Sequence, residues 1–242
     1  AFEDQGVLLR SIIPKPKELS WQQGGLPLSP RPTIYVGENP GEGILEAVDF
    51  LLKDLEELYG VRPEVLQTGA PEPLPQGAIL LGETGRFAAP KDFCAEADLS
   101  VPSDEEGYAL RVTDQAAAVS ASTPRGVFYG VTTLLQLMEI DQDGKSLRAV
   151  EIRDWPTLDF RGVHFLSGKG AGNEIAHAVR DLMARFKMNK LVWQCEYIEW
   201  DSHPEIHHPT YGMKKSEARK VIDMAGRTFI EIIPLIPSLG HA

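Results

Sequence analysis

Residues 154–165, with the sequence D-W-P-T-L-D-F-R-G-V-H-F, divide the chain into two parts of different pattern, and we call residues 154–161 the seam. Pro156 lacks a backbone donor and fixes φ, which favours a stiff link over a continuing helix or strand. The upstream pattern is that of a complete α+β unit. Downstream, strands and helices alternate as in a parallel α/β fold. The sequence therefore predicts two domains, residues 1–150 and residues 151–242.

The first part carries clear signals for helix ends. Residues 39–42 (N-P-G-E) predict a helix start with Asn39 as the cap, and Gly60 predicts its end. Thr123 is placed to cap a second helix over residues 125–138. Alternating runs between them predict strands. We therefore expect a small α+β domain, a mixed sheet with two helices on one face, and the absence of histidine from residues 1–150 argues against catalysis there.

The second part reads as the beginning of a barrel. Strands are predicted at residues 161–166, 191–195 and 229–234, with helices at residues 173–187 and 216–227 between them. A full (β/α)₈ TIM barrel has eight such units in about 250 residues, so three strands predict a truncated barrel. An open parallel sheet leaves edges and apolar faces uncovered. We expect either a second copy of the chain or the remainder of a barrel to cover them.

Composition excludes several classes of partner. The net charge of −11 and the pI of about 5.0 argue against nucleic acid and anionic membranes. No apolar run approaches the roughly 20 residues of a membrane span. The two cysteines, Cys94 and Cys195, fall in different predicted domains, so a disulfide framework is not expected. The lack of a signal peptide is compatible with a cytoplasmic protein, or with a secreted or periplasmic protein whose signal has been removed.

The chain also carries five motifs in a fixed order: I-P-K-P-K at residues 13–17, E-G-Y-A-L at 106–110, G-V-F-Y-G-V-T-T-L-L-Q-L at 126–137, the seam, and M-A-R-F-K-M-N-K-L at 183–191. Their order and spacing resemble glycoside hydrolase family 20, the β-N-acetylhexosaminidases. The resemblance implies a non-catalytic companion domain followed by a catalytic barrel, with a β-linked N-acetylhexosaminide as substrate. It implies no cofactor and no metal.

Four residues are predicted to bind substrate. Barrel enzymes hold their sites at the carboxyl ends of the strands, where Glu196 follows the second predicted strand and the aromatic Trp193. A carboxylate there either binds sugar or belongs to an ion pair, and sugar binding is the favoured interpretation. The resemblance implies that Arg161 binds sugar hydroxyls, for which a planar charged fork is suited. It also implies that His241 orients a catalytic carboxylate. No catalytic residue is expected within the chain, because the Asp-Glu pair of the family follows the fourth strand, beyond Ala242.

Two segments depart from the family pattern. The usual H-W-H-L-T-D-D is V-W-Q-C-E-Y-I at residues 192–198, and P-E-I-x-x-P-G-H is P-L-I-P-S-L-G-H at residues 234–241. The chain therefore resembles a divergent branch, close to hexosaminidase D-like sequences. In the family, the 2-acetamido group of the substrate attacks the anomeric carbon, so no enzyme nucleophile is needed. With that pair outside it, the chain alone is expected to be inactive.

Two rival interpretations come from other classes of protein. Residues 203–209 hold three histidines and Glu205, which suggests a metal site. Pro204 and Pro209 interrupt any helix there, so the helical two-histidine arrangement of a zinc protease is not expected, and a solvated loop is favoured. The second rival is a non-catalytic carbohydrate-binding or scaffold module, in which exposed aromatic side chains stack on sugars.

Overall fold

The computed structural model describes residues 11–29, 31–142 and 144–236. The described strands are β1 (Glu18–Pro27), β2 (Thr33–Tyr35), β3 (Glu64–Leu66), β4 (Ala78–Glu83), β5 (Tyr108–Val112), β6 (Ala116–Ala121), β7 (Met138–Asp141), β8 (Gly144–Asp154), β9 (Gly162–Leu166), β10 (Lys190–Gln194) and β11 (Glu231–Leu235). The described α-helices are α1 (Glu42–Tyr59), α2 (Ala89–Ala95), α3 (Pro124–Gln136), α4 (Gly172–Ala178) and α5 (Lys215–Arg227). Among them, none combines the length and apolar character needed to cross a membrane.

The first eight strands form one large sheet in the order β1-β8-β5-β6-β4-β2-β3, with β7 paired to β8. The pairs β1–β8, β8–β5 and β5–β6 are antiparallel, whereas β6–β4, β4–β2 and β2–β3 are parallel. The expected mixed sheet is therefore present. Its two longest strands, β1 and β8, were not predicted from the sequence.

Helices α1 and α3 cover one face of the large sheet, and their Phe50 and Phe128 rings lie 5.0 Å apart. The backbone N–H of Gly126 donates to Oγ1 of Thr123 at 3.1 Å, so the predicted cap of α3 is confirmed. Gly60 ends α1 with φ of 63°, in the left-handed region that glycine tolerates. The predicted cap of α1 is wrong, because the cap position is Gly41 and not Asn39.

Helix α2 covers the opposite face of the large sheet. Cys94 is buried there against Tyr35, Leu80 and Ala109. Burial raises the pKa of the Cys94 thiol to about 12, so this thiol stays protonated at neutral pH. The prediction of two helices on one face is therefore incomplete, because the sheet is covered on both faces.

We expect Gly130→Ala to destabilise the protein by about 1–3 kcal/mol, the usual cost of overpacking a core. Gly130 lies on α3, and a Cβ there would overlap Cγ1 of Val119 and come within 3.2 Å of the Tyr108 ring. Gly226→Ala on α5 is the matched control, since a Cβ at Gly226 would meet no described atom within 4 Å. Urea unfolding measures both variants. An unchanged or higher midpoint for Gly130→Ala would contradict the close contact.

The last three strands form a separate parallel sheet in the order β11-β10-β9, which we call the small sheet. All three predicted strands are confirmed within one or two residues. Leu191 of β10 packs against α4 and α5 on one face of this sheet. On the other face, Leu166 is 60% exposed and Leu235 is 40% exposed. The small sheet is thus covered on one face only by the described residues.

The helix expected over residues 173–187 contains a change of helix type. Helix α4 passes directly into a π-helical turn over Val179–Ala184, which widens the backbone. Within this turn Leu182 is 44% exposed, whereas Met183 is fully buried. The turn therefore directs one apolar side chain to solvent and its neighbour to the core.

The two sheets share one hydrophobic core through their helices. The rings of Phe128 on α3 and Phe229 after α5 lie 5.4 Å apart. Asp54 of α1 is fully buried, with Nη2 of Arg180 at 2.6 Å from Oδ1 and Nη1 of Arg185 at 2.7 Å from Oδ2. We call these three residues the Asp54 cluster. Because both arginines follow the seam and Asp54 precedes it, the cluster ties the two parts of the chain together.

Candidate functional site

The carboxyl ends of β9, β10 and β11 lie side by side, and we call this border of the small sheet the carboxyl edge. Leu166, Gln194 and Leu235 are in register across it. Backbone pairing continues past the strands, since the N–H of Ser167 donates to Gln194 O at 2.9 Å and that of Cys195 donates to Leu235 O at 3.0 Å. Parallel α/β folds place ligands at this end of their strands. The carboxyl edge is therefore the candidate functional site.

Glu196 lies at the carboxyl edge, as predicted. Its Oε1 accepts a hydrogen bond from Nε2 of Gln194. Its Oε2 is buried and receives no hydrogen bond from any residue that the structure describes. The Oγ of Ser167, the residue after β9, is likewise buried and has no hydrogen-bond partner among the described residues. An unpaired buried polar atom costs roughly 1–3 kcal/mol, so these two oxygens mark the carboxyl edge as the place for a polar ligand.

Trp193 does not reach the candidate site in this structure. Side chains alternate along a strand, and Trp193 points with Leu191 toward the helix layer of the small sheet. It is 2% exposed. The structure therefore gives no support to the predicted role of Trp193 in substrate binding, since the helix layer covers the indole. Its neighbour Gln194 shares the opposite face with Glu196.

Arg161 lies at the opposite end of β9 from the carboxyl edge. Its Nη2 is 2.5 Å from Oε2 of Glu106, its Nε donates to Lys187 O at 2.8 Å, and its Nη1 donates to Leu158 O at 2.6 Å. The guanidinium is thus engaged by both parts of the chain. The structure does not bring Arg161 together with Glu196, and its contacts give no support to the predicted role in sugar binding.

A buried polar network surrounds Arg161, and sequence reasoning missed it. Lys187 Nζ donates to Tyr108 OH at 2.7 Å and to Oδ2 of Asp154 at 2.9 Å. Glu106 Oε1 accepts from Nδ2 of Asn189 at 3.0 Å. Burial lowers the pKa of Lys187, and the Asp154 carboxylate opposes that shift. The partners lie 33 to 83 residues apart along the chain, so no local motif indicates them. We give the name seam network to the residues joined by these bonds: Glu106, Tyr108, Asp154, Arg161, Lys187 and Asn189.

The three histidines near residue 205 do not form a metal site within the described part of the chain. His203 Nδ1 lies 3.0 Å from Glu205, and His207 Nε2 lies 2.8 Å from Glu199. His208 stacks on Tyr211 with 4.7 Å between ring centroids. The interpretation as a loop on the surface therefore fits the geometry. The fourth predicted binding residue, His241, lies outside the described residues.

The described chain is a mixed α+β sheet joined to a parallel α/β sheet, with a carboxylate at the carboxyl edge of the latter. Residues 9–155 match the family model described as glycosyl hydrolase family 20, domain 2. The match covers the whole large sheet and more than half of the chain. The chain belongs to glycosyl hydrolase family 20.

Similar curated proteins include two bacterial beta-hexosaminidases. The chain is 28% identical to a beta-hexosaminidase of Porphyromonas gingivalis over 99% of its own length, which is 31% of that protein. It is 29% identical to a beta-hexosaminidase of Vibrio vulnificus over 74% of the chain and 18% of that protein. The chain thus spans about a third or less of the length of these relatives.

Solved structures share the fold. The N-acetyl-beta-hexosaminidase of Streptomyces plicatus in complex with Thio-NAglucal aligns with a TM-score of 0.74 and 22% identity, over 97% of this chain and 47% of that one. The chitobiase of Flavobacterium johnsoniae aligns with a TM-score of 0.72 and 21% identity, over 92% of this chain and 34% of that one. Both alignments extend well past the seam, so the small sheet is part of the shared fold.

Proposed function

We propose that this chain is part of an exo-β-N-acetylhexosaminidase, which releases terminal GlcNAc or GalNAc from β-linked substrates. The observation that carries the proposal is the match to the P. gingivalis beta-hexosaminidase, which continues across both sheets and covers 99% of the chain. A companion domain alone would match only as far as the seam. The continuation into the small sheet supports an enzyme over the alternative of a carbohydrate-binding or scaffold module.

The small sheet is proposed to be the first three strands of a (β/α)₈ barrel, with residues 1–150 as the companion domain and residues 151–242 as the beginning of the barrel. The exposed face of the sheet supports this. Leu166 and Leu235 leave apolar side chains in solvent, with exposures of 60% and 40%. The inner face of a closed barrel is filled by such residues. The remainder of the barrel would cover this face and pair the edges β9 and β11.

The reaction proposed is substrate-assisted hydrolysis with retention of configuration. A general acid protonates the leaving oxygen while the 2-acetamido oxygen of the substrate attacks the anomeric carbon, and water then opens the resulting ring. The acid and the acetamido-orienting carboxylate are proposed to follow the fourth barrel strand, outside residues 1–242. Neither a metal nor a cofactor is required by this chemistry.

Glu196 is the residue of the described chain best placed to hold the sugar. One carboxylate oxygen is fixed by Gln194, which orients the group. The other oxygen is buried without a described hydrogen-bond donor, which leaves an unused acceptor at the carboxyl edge. His241 stays a proposed partner of the catalytic carboxylate on the strength of the family motif alone.

Glu196→Gln is expected to lower kcat/KM of the whole enzyme roughly 10–100-fold, since a hydrogen bond to a charged group contributes about 1.5–3 kcal/mol. The matched control is Glu231→Gln, because Glu231 pairs with Lys190 at the opposite end of the same sheet. Steady-state hydrolysis of a nitrophenyl N-acetyl-β-glucosaminide measures both. Equal losses of kcat/KM for the two variants would show that Glu196 does not bind the substrate.

The proposed function itself is tested with substrates that differ only at C2. A protein that joins this chain to the rest of the barrel should hydrolyse nitrophenyl N-acetyl-β-glucosaminide and should be inhibited by a thiazoline that mimics the cyclic intermediate. The nitrophenyl β-glucoside lacks the acetamido group and should be inert. Hydrolysis of the glucoside alone would overturn the substrate-assisted mechanism, and sugar binding without any hydrolysis would favour the binding module.

A further inference from the structure

A second concave site lies at the seam, near the amino end of β9 and thus at the opposite end of the small sheet from the carboxyl edge. It is a cavity of about 450 Å³. Its apolar wall combines Trp155 and Pro156 of the seam with Pro14 and Pro16. Part of the seam network lines the opposite wall. We call this the seam cavity, and it has the size of a pocket for a small molecule.

The residues that line the seam cavity have a positive formal charge, although the chain as a whole is acidic. Its lining contains four cationic side chains and two anionic ones, a difference of +2, whereas the net charge of the whole chain is −11. The cations are Lys15, Lys17, Arg161 and Lys187, and the anions are Glu106 and Asp154. Concave walls concentrate such a local field. The charge balance therefore favours an anionic ligand.

The two carboxylates of the cavity are already satisfied by the protein. Glu106 accepts hydrogen bonds from Arg161, Asn189 and Arg125. Asp154 accepts at Oδ1 from the backbone N–H of Lys17 at 3.1 Å, and at Oδ2 from Tyr108 and Lys187. A ligand cation would have to displace one of these donors. Each carboxylate thus already has three donors within the chain, and both negative charges are paired with a cation of the cavity.

Donors, in contrast, are left over. A protonated lysine has three N–H groups, and Nζ of Lys187 uses two of them, for Tyr108 OH and Asp154. Tyr129 OH accepts from Nη2 of Arg161 at 3.4 Å, and no described residue accepts its hydrogen. Burial raises the pKa of Tyr129 to about 12, so the hydroxyl keeps that hydrogen at neutral pH. Lys187 and Tyr129 therefore each keep one hydrogen for which the described residues provide no acceptor.

From this arrangement we propose that the seam cavity binds a small organic carboxylate. The carboxylate accepts hydrogen bonds from Lys187 and Tyr129, and the apolar or ring-shaped body of the molecule packs against Trp155 and the prolines. The site is distinct from the sugar site at the carboxyl edge, and the proposal does not depend on the proposed function. A ligand here bridges the two parts of the chain, because Tyr129 precedes the seam and Lys187 follows it.

The test uses benzoate as the probe, with benzamide as the neutral analogue of the same shape and benzylamine as the cationic one. Isothermal titration should give saturable binding of benzoate in the millimolar range, at least tenfold tighter than binding of either analogue. Raising the salt concentration should weaken it, since the attraction is partly electrostatic. Equal binding of benzoate and benzamide, or no saturation, would overturn the proposal.

Two variants locate the binding. Tyr129→Phe removes one donor and should weaken benzoate binding about fivefold or more. The double variant Lys15→Gln, Lys17→Gln changes only exposed rim side chains, so it tests the charge without disturbing the core. It should weaken binding about three- to tenfold at low salt. The control is Tyr211→Phe, because Tyr211 stacks on His208 and does not line the cavity. This variant should bind benzoate as tightly as the unaltered chain does. Unchanged affinity in both cavity variants would place benzoate elsewhere and refute the site.

Discussion

On nitrophenyl N-acetyl-β-glucosaminide, the 242-residue chain by itself is expected to turn over at least 10²–10⁴-fold more slowly than a protein that carries the complete barrel. Loss of a general acid alone costs roughly that factor. The uncovered face of the small sheet adds to the loss, since a substrate held on one side only is not positioned for attack. Parallel assays of the two proteins at equal concentration measure the ratio.

The control for this comparison is the folded state of the shorter chain, which circular dichroism and a cooperative unfolding curve establish. A folded but inactive chain fits the proposal. Comparable turnover by both proteins would mean that the acid lies within the 242 residues. Glu196 would then be the first candidate, because it is the carboxylate found at the carboxyl edge with a free buried oxygen.

Asp154→Leu is expected to destabilise the protein by about 3–5 kcal/mol, which is the usual cost of leaving a buried charge without its partner. The ammonium of Lys187 is 2.9 Å from Asp154 and is buried, so removal of the carboxylate leaves a largely desolvated charge without its ion-pair partner. The loss is a large fraction of the roughly 5–15 kcal/mol that stabilises a typical domain. Urea unfolding at neutral pH measures it.

Two further variants separate the ion pair from other causes. Adding Lys187→Met to Asp154→Leu removes the stranded charge and should restore part of the lost stability. Asp49→Asn breaks the surface pair with Arg227, and it should change stability by less than about 1 kcal/mol. If Asp154→Leu costs no more than Asp49→Asn, the seam network does not hold the two parts together.

The sequence predicts best the helices and strands that are marked by a short apolar run or by a capping residue. The strands of the small sheet follow from short apolar runs, and α3 follows from its Thr123 cap. The strands β1 and β8 were missed because they are half-buried and interrupted in pattern, and β1 has a register shift between Trp21 and Gly25. Helix α2 was missed because its seven residues, Ala89–Ala95, are too few for a periodic signal.

The candidate site was predicted in part, and the reasons are physical. Glu196 was found because the direction of a parallel strand fixes which end carries the site. Trp193 was misplaced, although the alternation of side chains puts it on the same face as the buried Leu191. Arg161 was assigned from a motif against its position at the start of a strand. The seam network joins residues too distant in sequence for any pattern to pair them.

The Asp54 cluster connects the two parts of the chain by ion pairs that depend little on salt. A carboxylate that is fully buried between Arg180 and Arg185 is screened by salt much less than a surface pair is. The hydrophobic core is also continuous across the same helices. The seam therefore separates two topologies within one continuous core, and we expect the large sheet and the small sheet to melt in one transition, at low and at high ionic strength alike.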